Sequence, residues 1–319
     1  MGLGGVVTAP IGSFGDAAQH PRLIVIAGPT GTGKSDLALD LAERVGGEIV
    51  NADSMQLYRG MDIGTAKLTA EERAGVPHHL LDVWEVTETA SVAEYQRLAR
   101  AEMDRQLAAG QVPVLVGGSG LYVRAAVDEM EFPGTDPAVR ARLEEELERV
   151  GSGVLHRRLA GLDPAAAEAI LPGNGRRVVR ALEVIEITGR PFTASLPTLE
   201  YADPASVQVG VDIDRPTLDA RIEQRVDRMF EDGFVAEVER LLAEGLAEGR
   251  TAGRAIGYRE VAAHLAGEIG LEEARERTVT ATRRFARRQD SWFRKDPRIV
   301  WVDHDDPELV EKALAAVPR

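Results

Sequence analysis

Short apolar runs alternate with amphipathic stretches along the first third of the chain. Leu23-Ile24-Val25-Ile26-Ala27, Glu48-Ile49-Val50-Asn51-Ala52, Leu80-Leu81-Asp82-Val83-Trp84 and Val112-Pro113-Val114-Leu115-Val116 each read as buried strands. Between them the period lengthens. Leu37, Leu41 and Val45 share one helical face, with Gly46-Gly47 as a stop, and Ser91 is an N-cap for a helix running to Leu107 and ending at Gly110. Leu121 to Val127 begins another helix. Strands alternating with helices through short loops predict a parallel, doubly wound α/β sheet.

Near residue 128 the texture changes. Asp136-Pro137 and Asp163-Pro164 are helix starts with proline in the first turn. Val139, Leu143 and Leu147 form a narrow apolar stripe on an acidic helix, and Leu155, Leu159 and Leu162 continue the helical spacing. Leu171-Pro172-Gly173-Asn174-Gly175 breaks the pattern, and Arg176 to Thr188 resumes it until Gly189. Residues 128–197 are thus expected to be an all-helical insertion. Val207 to Ile213 reads as a returning strand. Leu218 to Glu244 is a long helix or a pair broken at Gly233, Leu271 to Phe293 is a final long helix, and Ile299 to Val302 is a last strand. The expected organisation is a loose N-terminal tail over 1–20, a core of 21–127 plus 198–319, and the insertion between its parts.

Composition narrows the picture. Among 319 residues there is no cysteine, which removes disulfides and thiolate metal sites. No stretch is long and apolar enough for a membrane span, and the N-terminus lacks the basic start and apolar run of a signal peptide. A soluble, cytoplasmic protein is expected. The net charge of −14 argues against a generally basic nucleic-acid coat, yet Arg283, Arg284, Arg287, Arg288, Arg294, Lys295 and Arg298 cluster against only Asp290 and Asp296. That contrast suggests a confined surface facing an anion.

The chain is organised around Gly28-Pro29-Thr30-Gly31-Thr32-Gly33-Lys34-Ser35, a complete G-x-x-x-x-G-K-S phosphate loop between a strand and a helix. Its glycines allow backbone N–H groups to wrap around a polyanion at a helix N-terminus. Lys34 supplies a point charge for the outer phosphates, and the Ser35 hydroxyl is a ligand for Mg²⁺. Neither a guanine-reading N-K-x-D nor an aspartate closing the strand at 112–116 follows, so a switch GTPase or ordinary NTPase is disfavoured. The second strand ends at Asp53, on the ligand side of an open α/β sheet. A carboxylate beside a bound pyrophosphate is costly unless it accepts a proton or holds Mg²⁺ through water. Its other reading is an N-cap for the segment that follows.

Gly28-Pro29-Thr30 with Gly33-Lys34-Ser35, Asp53-Ser54-x-Gln56-x-Tyr58, Gly60-Met61-Asp62-Ile63-Gly64-Thr65-Ala66-Lys67, Pro77-His78-His79-Leu80-Leu81-Asp82, Gly117-Gly118-Ser119-Gly120-Leu121-Tyr122, Arg177-x-x-Arg180-Ala181-Leu182-Glu183, Gly257-Tyr258 and Arg288-Gln289 together resemble the tRNA dimethylallyltransferase family in its bacterial form, in order over about residues 22–303. One departure is the serine of Gly117-Gly118-Ser119, where the family has threonine; the hydroxyl is kept. The resemblance implies a P-loop NTPase/kinase-like parallel sheet core with a helical insertion that grips the anticodon stem-loop. It implies Mg²⁺-dependent transfer of a dimethylallyl group from dimethylallyl pyrophosphate to N6 of the adenosine 3′ of the anticodon, by a monomer. It also implies that Asp53, Ser54, Met55, Gln56 and Ser119 line the pocket for the target base and that Arg140 touches RNA. RNA contact is further implied for Val178, Val179, Arg254, Arg259, Arg287 and Arg288.

The residues suit that chemistry. An adenine amino group is a poor nucleophile and needs a base, for which Asp53 is the candidate. The leaving pyrophosphate must be neutralised by Gly28 to Ser35, with Lys34 and the metal. Thr30 can hydrogen-bond the amino group or Asp53. Arg221 or Arg225 can close over the pyrophosphate, or can form an exposed face with Glu223. Arg176, Arg177 and Arg180 fall on adjacent turns of one helix, a spacing that suits a phosphate-tracking ridge as well as a solvated face. His78 and His79 read as structural. Two rivals share the motifs: an adenylate isopentenyltransferase acting on a free nucleotide, and a phosphate-loop RNA-binding regulator without catalysis. The insertion and its arginines disfavour the first; Asp53 disfavours the second.

Overall fold

The computed structural model describes residues 22–192 and 199–315; the tail expected over 1–20 and the end of the expected insertion at 193–197 lie outside them. In chain order the elements are β1 (Leu23–Ala27), α1 (Lys34–Val45), β2 (Ile49–Asn51), β3 (His78–His79), α2 (Val92–Ala108), β4 (Val114–Gly117), α3 (Gly120–Val127), α4 (Pro137–Val150), α5 (Ser152–Leu162), α6 (Pro164–Ala169) and α7 (Gly175–Thr188). There follow β5 (Ser206–Asp212), α8 (Arg215–Glu231), α9 (Phe234–Ala243), α10 (Tyr258–Leu265), α11 (Leu271–Phe293), β6 (Ile299–Asp303) and α12 (Leu309–Ala315). They divide into two compact units. The first holds the described residues up to Ala90, Leu98–Val123 and those from Ala205 onward; the second holds Ser91–Arg97 and the described part of Arg124–Pro204.

The first unit is built on a six-stranded, all-parallel sheet of order β3-β2-β4-β1-β5-β6. Every residue of β1 is buried, as expected of a strand covered on both faces. Ile24 and Ile26 pair in register with Val114 and Val116 on one side and with Val207 and Val209 on the other. Leu37, Ala38, Leu41 and Ala42 turn the apolar face of α1 onto this surface. Full burial of a leucine such as Leu41 contributes roughly 1.5–3 kcal/mol, so this face holds α1, and with it the preceding loop, to the sheet.

Two strand expectations are corrected. The strand expected at 112–116 begins at Val114 and runs to Gly117. The strand expected at Leu80–Trp84 is displaced: β3 is His78–His79, and beyond it Leu80 and Asp82 have φ values of 59° and 57°. The extended path ends there because polar side chains capture the segment. Asn51 donates to the Leu80 carbonyl at 3.0 Å, and the buried Lys67 ammonium is held by Asp82 and Asp62 at 2.7 Å each. The helical stretch from Leu218 proves to be a pair, α8 and α9, separated by Gly233 with φ 99°.

The second unit contains α4 to α7 around Leu143, Leu155, Leu159, Val178, Val179 and Leu182. Helices α4, α6 and α7 start at side-chain caps: Asp136 accepts from the Ala138 and Val139 N–H groups, Asp163 from Ala166, and Asn174 from Arg177. Inside it, Glu183 is fully buried and is held by Arg140 and by Arg180. Burial alone would raise its carboxyl pKa, but the hydrogen bonds from Arg140 and Arg180 outweigh it and hold the group below the usual carboxylate range.

Candidate active site

Three neighbouring strands deliver chemistry to one edge of the sheet: β1 ends in the phosphate loop, β2 in Asp53, and β4 in Gly118-Ser119. In the loop Gly31 and Gly33 have φ of 86° and 93°, values that favour glycine, and Gly33 leads directly into α1. The Lys34 ammonium folds back onto the Pro29 carbonyl. Burial, then the nearby Arg225 guanidinium, lowers its pKa to about 7, against an opposing pull from Asp53. Ser35 is exposed at the start of α1 and lines a recess of about 760 Å³ shared with Gly31, Gly33, Lys34, Arg221 and Arg225.

Asp53 is fixed on both sides. Its N–H donates to Asn51 Oδ1 at 2.9 Å, and its Oδ1 accepts from the Met55 N–H at 2.9 Å. It therefore does cap the segment that follows it, and its other carboxylate oxygen has no hydrogen-bond partner among the described residues. Ser119 lies alongside: its hydroxyl accepts from the Ser54 N–H and donates to the Ser54 hydroxyl, both at 3.1 Å. Asp53, Ser54, Met55, Ser119 and Thr30 line one cavity of about 330 Å³. Gln56 does not reach it; its amide is spent on the Thr65 and Ala66 carbonyls.

Much of the remaining wall of this cavity is apolar. Ile222, Val226 and Met229 from α8, Phe234 from α9, Ile256 and Phe285 supply it, with the ring of Tyr258. The sequence reading placed those of α8, α9 and α11 only on helices. Their signal was present, since Leu218, Ile222, Val226 and Met229 recur at helical spacing on α8, but a core stripe and a ligand wall have the same pattern. Arg225 sits among them and lines both the cavity and the recess, as does Met229. It donates to the Thr30 hydroxyl at 3.1 Å and to the Thr65 carbonyl at 3.2 Å. Arg221, one turn earlier, is exposed and lines only the recess.

A second residue missed in the sequence, Glu237, shapes the wall. Its carboxylate accepts from the Asp62, Ile63 and Gly64 N–H groups at 3.1, 2.7 and 3.2 Å, and from the Tyr258 hydroxyl at 2.6 Å. Burial first, then the Glu237 charge, pushes the Tyr258 phenol well above its ordinary range. The clasp fixes the segment that contributes Gly64 and Thr65 to the cavity and Ile63, Ala66 and Lys67 to the recess.

The expected RNA contacts separate. Arg254 and Arg288 line the mouth of the cavity, with Arg288 5.7 Å from the Phe285 ring centroid. Arg259 is exposed and paired with Glu260, and Arg287 lines a different cleft with Pro29 and Asp290. In the helical unit, Arg176 and Arg177 are exposed. Val178 and Val179 are core side chains, 0% and 1% exposed, and cannot offer their side chains to RNA. Nor is there a three-arginine ridge, because Arg180 turns to Glu183 and the Pro133 carbonyl. Arg140 is likewise committed to Glu183.

A phosphate loop on a parallel sheet, opposed by a strand-end carboxylate and backed by a largely apolar cavity, defines a P-loop α/β protein. The chain belongs to the IPP transferase family, whose model matches residues 56–296. A protein from a Nocardioides species named tRNA dimethylallyltransferase is 68% identical over 295 residues, 92% of this chain and 95% of that one. Among solved structures, the tRNA isopentenylpyrophosphate transferase of Bacillus halodurans is 40% identical with a TM-score of 0.67, covering 92% of this chain and 94% of that one. A eukaryotic dimethylallyltransferase acting on tRNA is 27% identical with a TM-score of 0.79, covering 92% and 77%.

Proposed function

We propose that this chain transfers the dimethylallyl group of dimethylallyl pyrophosphate to N6 of the adenosine 3′ of the anticodon in tRNA, releasing pyrophosphate. The observation that carries the proposal is Arg225, which stands between a polar recess at the phosphate loop and an apolar cavity containing Asp53. A pyrophosphate in the recess and a hydrocarbon tail in the cavity would place the scissile C–O bond near Thr30, Lys34 and Arg225. Asp53 accepts the proton from the amino group as the C–N bond forms. The loop N–H groups, Lys34 and Arg225 balance the charge that collects on the departing pyrophosphate. The target base must leave its stack to reach Asp53, and Ser119, Ser54 and Met55 flank the place it would occupy.

The donor set suits Mg²⁺. The Ser35 hydroxyl has no hydrogen-bond partner among the described residues, and Asp36 lines the same recess. A hard cation held by the hydroxyl, phosphate oxygens and water would supply further neutralisation of the leaving group. No helix among the described residues is long and apolar enough to cross a membrane, and tRNA as substrate favours the cytoplasm. Arg176 and Arg177 support the reading of the helical unit as the part that grips the anticodon stem-loop.

Incubation with dimethylallyl pyrophosphate labelled in the allyl group, bulk tRNA and Mg²⁺ tests the proposal. Label should enter tRNA and be lost on chelation of the metal. Label entering adenosine monophosphate but not tRNA would favour the free-nucleotide rival.

A further inference from the structure

Gln289 is buried in α11, 5% exposed, and both ends of its amide make contacts far away in sequence. Its Oε1 accepts from the Thr30 N–H at 2.9 Å, and its Nε2 donates to the Gly118 carbonyl at 2.7 Å. One contact lies in the phosphate loop, the other in the loop that carries Ser119. Only one orientation of the amide satisfies both, since a backbone N–H demands an acceptor and a carbonyl a donor. The fit is close: a Cβ on Gly118 would stand 2.4 Å from Gln289 Nε2. The Thr30 N–H, spent on Gln289, is not offered to a phosphate, while the Thr30 hydroxyl takes the hydrogen bond from Arg225.

We infer that Gln289 is a positioning residue that sets the spacing between the donor loop and the acceptor pocket. This rests on the reaction proposed above and adds a residue that touches neither substrate. The helix that carries it also presents Arg288 at the cavity mouth, so the helix expected to meet RNA is the one that braces the phosphate loop. Bringing the allylic carbon and the amino group into line is an alignment problem, and a displacement of about 1 Å costs on the order of 10²-fold in rate. A misaligned enzyme has a second fate for the donor. The C–O bond to pyrophosphate breaks, a water oxygen bonds the allylic carbon in place of N6, and that water loses a proton. The products are dimethylallyl alcohol and pyrophosphate.

The test compares Gln289→Glu, which keeps the acceptor for Thr30 but sets a carboxylate oxygen against the Gly118 carbonyl, with Gln289→Met, which removes both bonds at similar volume. With labelled donor, excess anticodon stem-loop and Mg²⁺, the measured quantities are turnover, the two KM values, and alcohol formed per RNA prenylated. We expect turnover to fall about 10- to 100-fold, both KM values to stay within about threefold, and the alcohol ratio to rise in both variants. Wild-type coupling and turnover in either folded variant would overturn the inference. So would a loss confined to donor KM, which would make Gln289 a binding residue. If one variant fails to fold, the other decides. Absence of transfer by the wild-type protein would instead reject the proposed reaction itself.

Discussion

Arg225 donates to the hydroxyl of Thr30 at 3.1 Å, 195 positions earlier in the chain. This separates two arginines that the sequence left equivalent. Arg225 is enclosed between the phosphate recess and the apolar cavity, and burial first, then repulsion from Arg228, lowers its pKa against the pull of Asp53. Arg221 reaches the recess from its exposed rim. Removing a preorganised donor aimed at developing charge costs about 10²–10³ in turnover. Arg225→Gln should show a loss of that size in kcat with labelled donor and tRNA, whereas Arg221→Gln should mainly raise the KM for the donor. Equal effects from the two variants would contradict the distinction.

Asp53→Asn should lower turnover by about 10²- to 10⁴-fold, the range for a positioned general base. Asparagine keeps the oxygen that accepts from the Met55 N–H, so the cap is preserved and thermal stability should hold. Stem-loop affinity should change little. A variant with near wild-type turnover would leave Asp53 as a cap and pocket wall only.

Lys34 gives the site a pH dependence with a defined sign. In the ligand-free enzyme its pKa is about 7, against an ordinary value of 10.5. Between those values the unfolded chain binds a proton that the native state does not. The stability contributed by this group therefore rises with pH across that window. Donor binding has the opposite dependence. The ammonium that attracts a polyanion is lost as pH rises through about 7, and bound phosphate restores it. Calorimetry of donor binding at pH 8 in two buffers of different ionisation enthalpy should report proton uptake, which Lys34→Met should abolish. Uptake that persists in that variant would assign the proton elsewhere.

Glu237 should behave as a structural clasp. Glu237→Gln has the same shape but presents an NH₂ group to backbone donors. Unsatisfied buried groups cost about 1–3 kcal/mol each, so melting temperature should fall, and turnover with it, because Thr65 would no longer be fixed under Arg225. Tyr258→Phe, which removes one of the four donors, should have a smaller effect in the same direction.

The parts of this site legible in the sequence are those that lie within a few residues of one another. The phosphate loop, Asp53 and Ser119 each follow a strand, and an open parallel sheet brings strand ends together by topology. What escaped notice joins distant residues. Gln289 meets Thr30 across 259 positions and Glu237 meets Asp62 across 175, and nothing local to either pair signals the contact. The displaced strand at Leu80–Trp84 failed for a related reason. Its apolar run was genuine, but Asn51 and Lys67 bind its polar groups and turn the chain. Arg180 failed differently, since helical spacing gives a residue's azimuth but not which side faces a buried Glu183.

That last distinction decides how RNA affinity should respond to salt. Each arginine that contacts a phosphate releases condensed counterions, so replacing it shrinks the slope of log K against log[salt] by roughly 0.7 to 0.9. Arg176 and Arg177 are exposed, and exposed side chains of this kind contribute at most about 1 kcal/mol to folding. The double variant Arg176→Gln, Arg177→Gln should therefore bind the anticodon stem-loop with a slope reduced by about 1.4 to 1.8 and should melt like the wild type. Arg140→Gln and Arg180→Gln should do the reverse. Each strips a charged hydrogen-bond partner from the buried Glu183 carboxylate, a loss on the order of 1.5–3 kcal/mol, so both should lower the melting temperature. Because the carboxyl pKa is depressed in the fold, the stability it contributes is present above its unfolded value and lost as pH falls through the folded one. The Arg140 and Arg180 defects should thus shrink in acid. An unchanged slope in the Arg176, Arg177 double variant, with folding intact, would remove those two arginines from phosphate recognition. A slope change in Arg140→Gln without loss of stability would return Arg140 to the RNA interface.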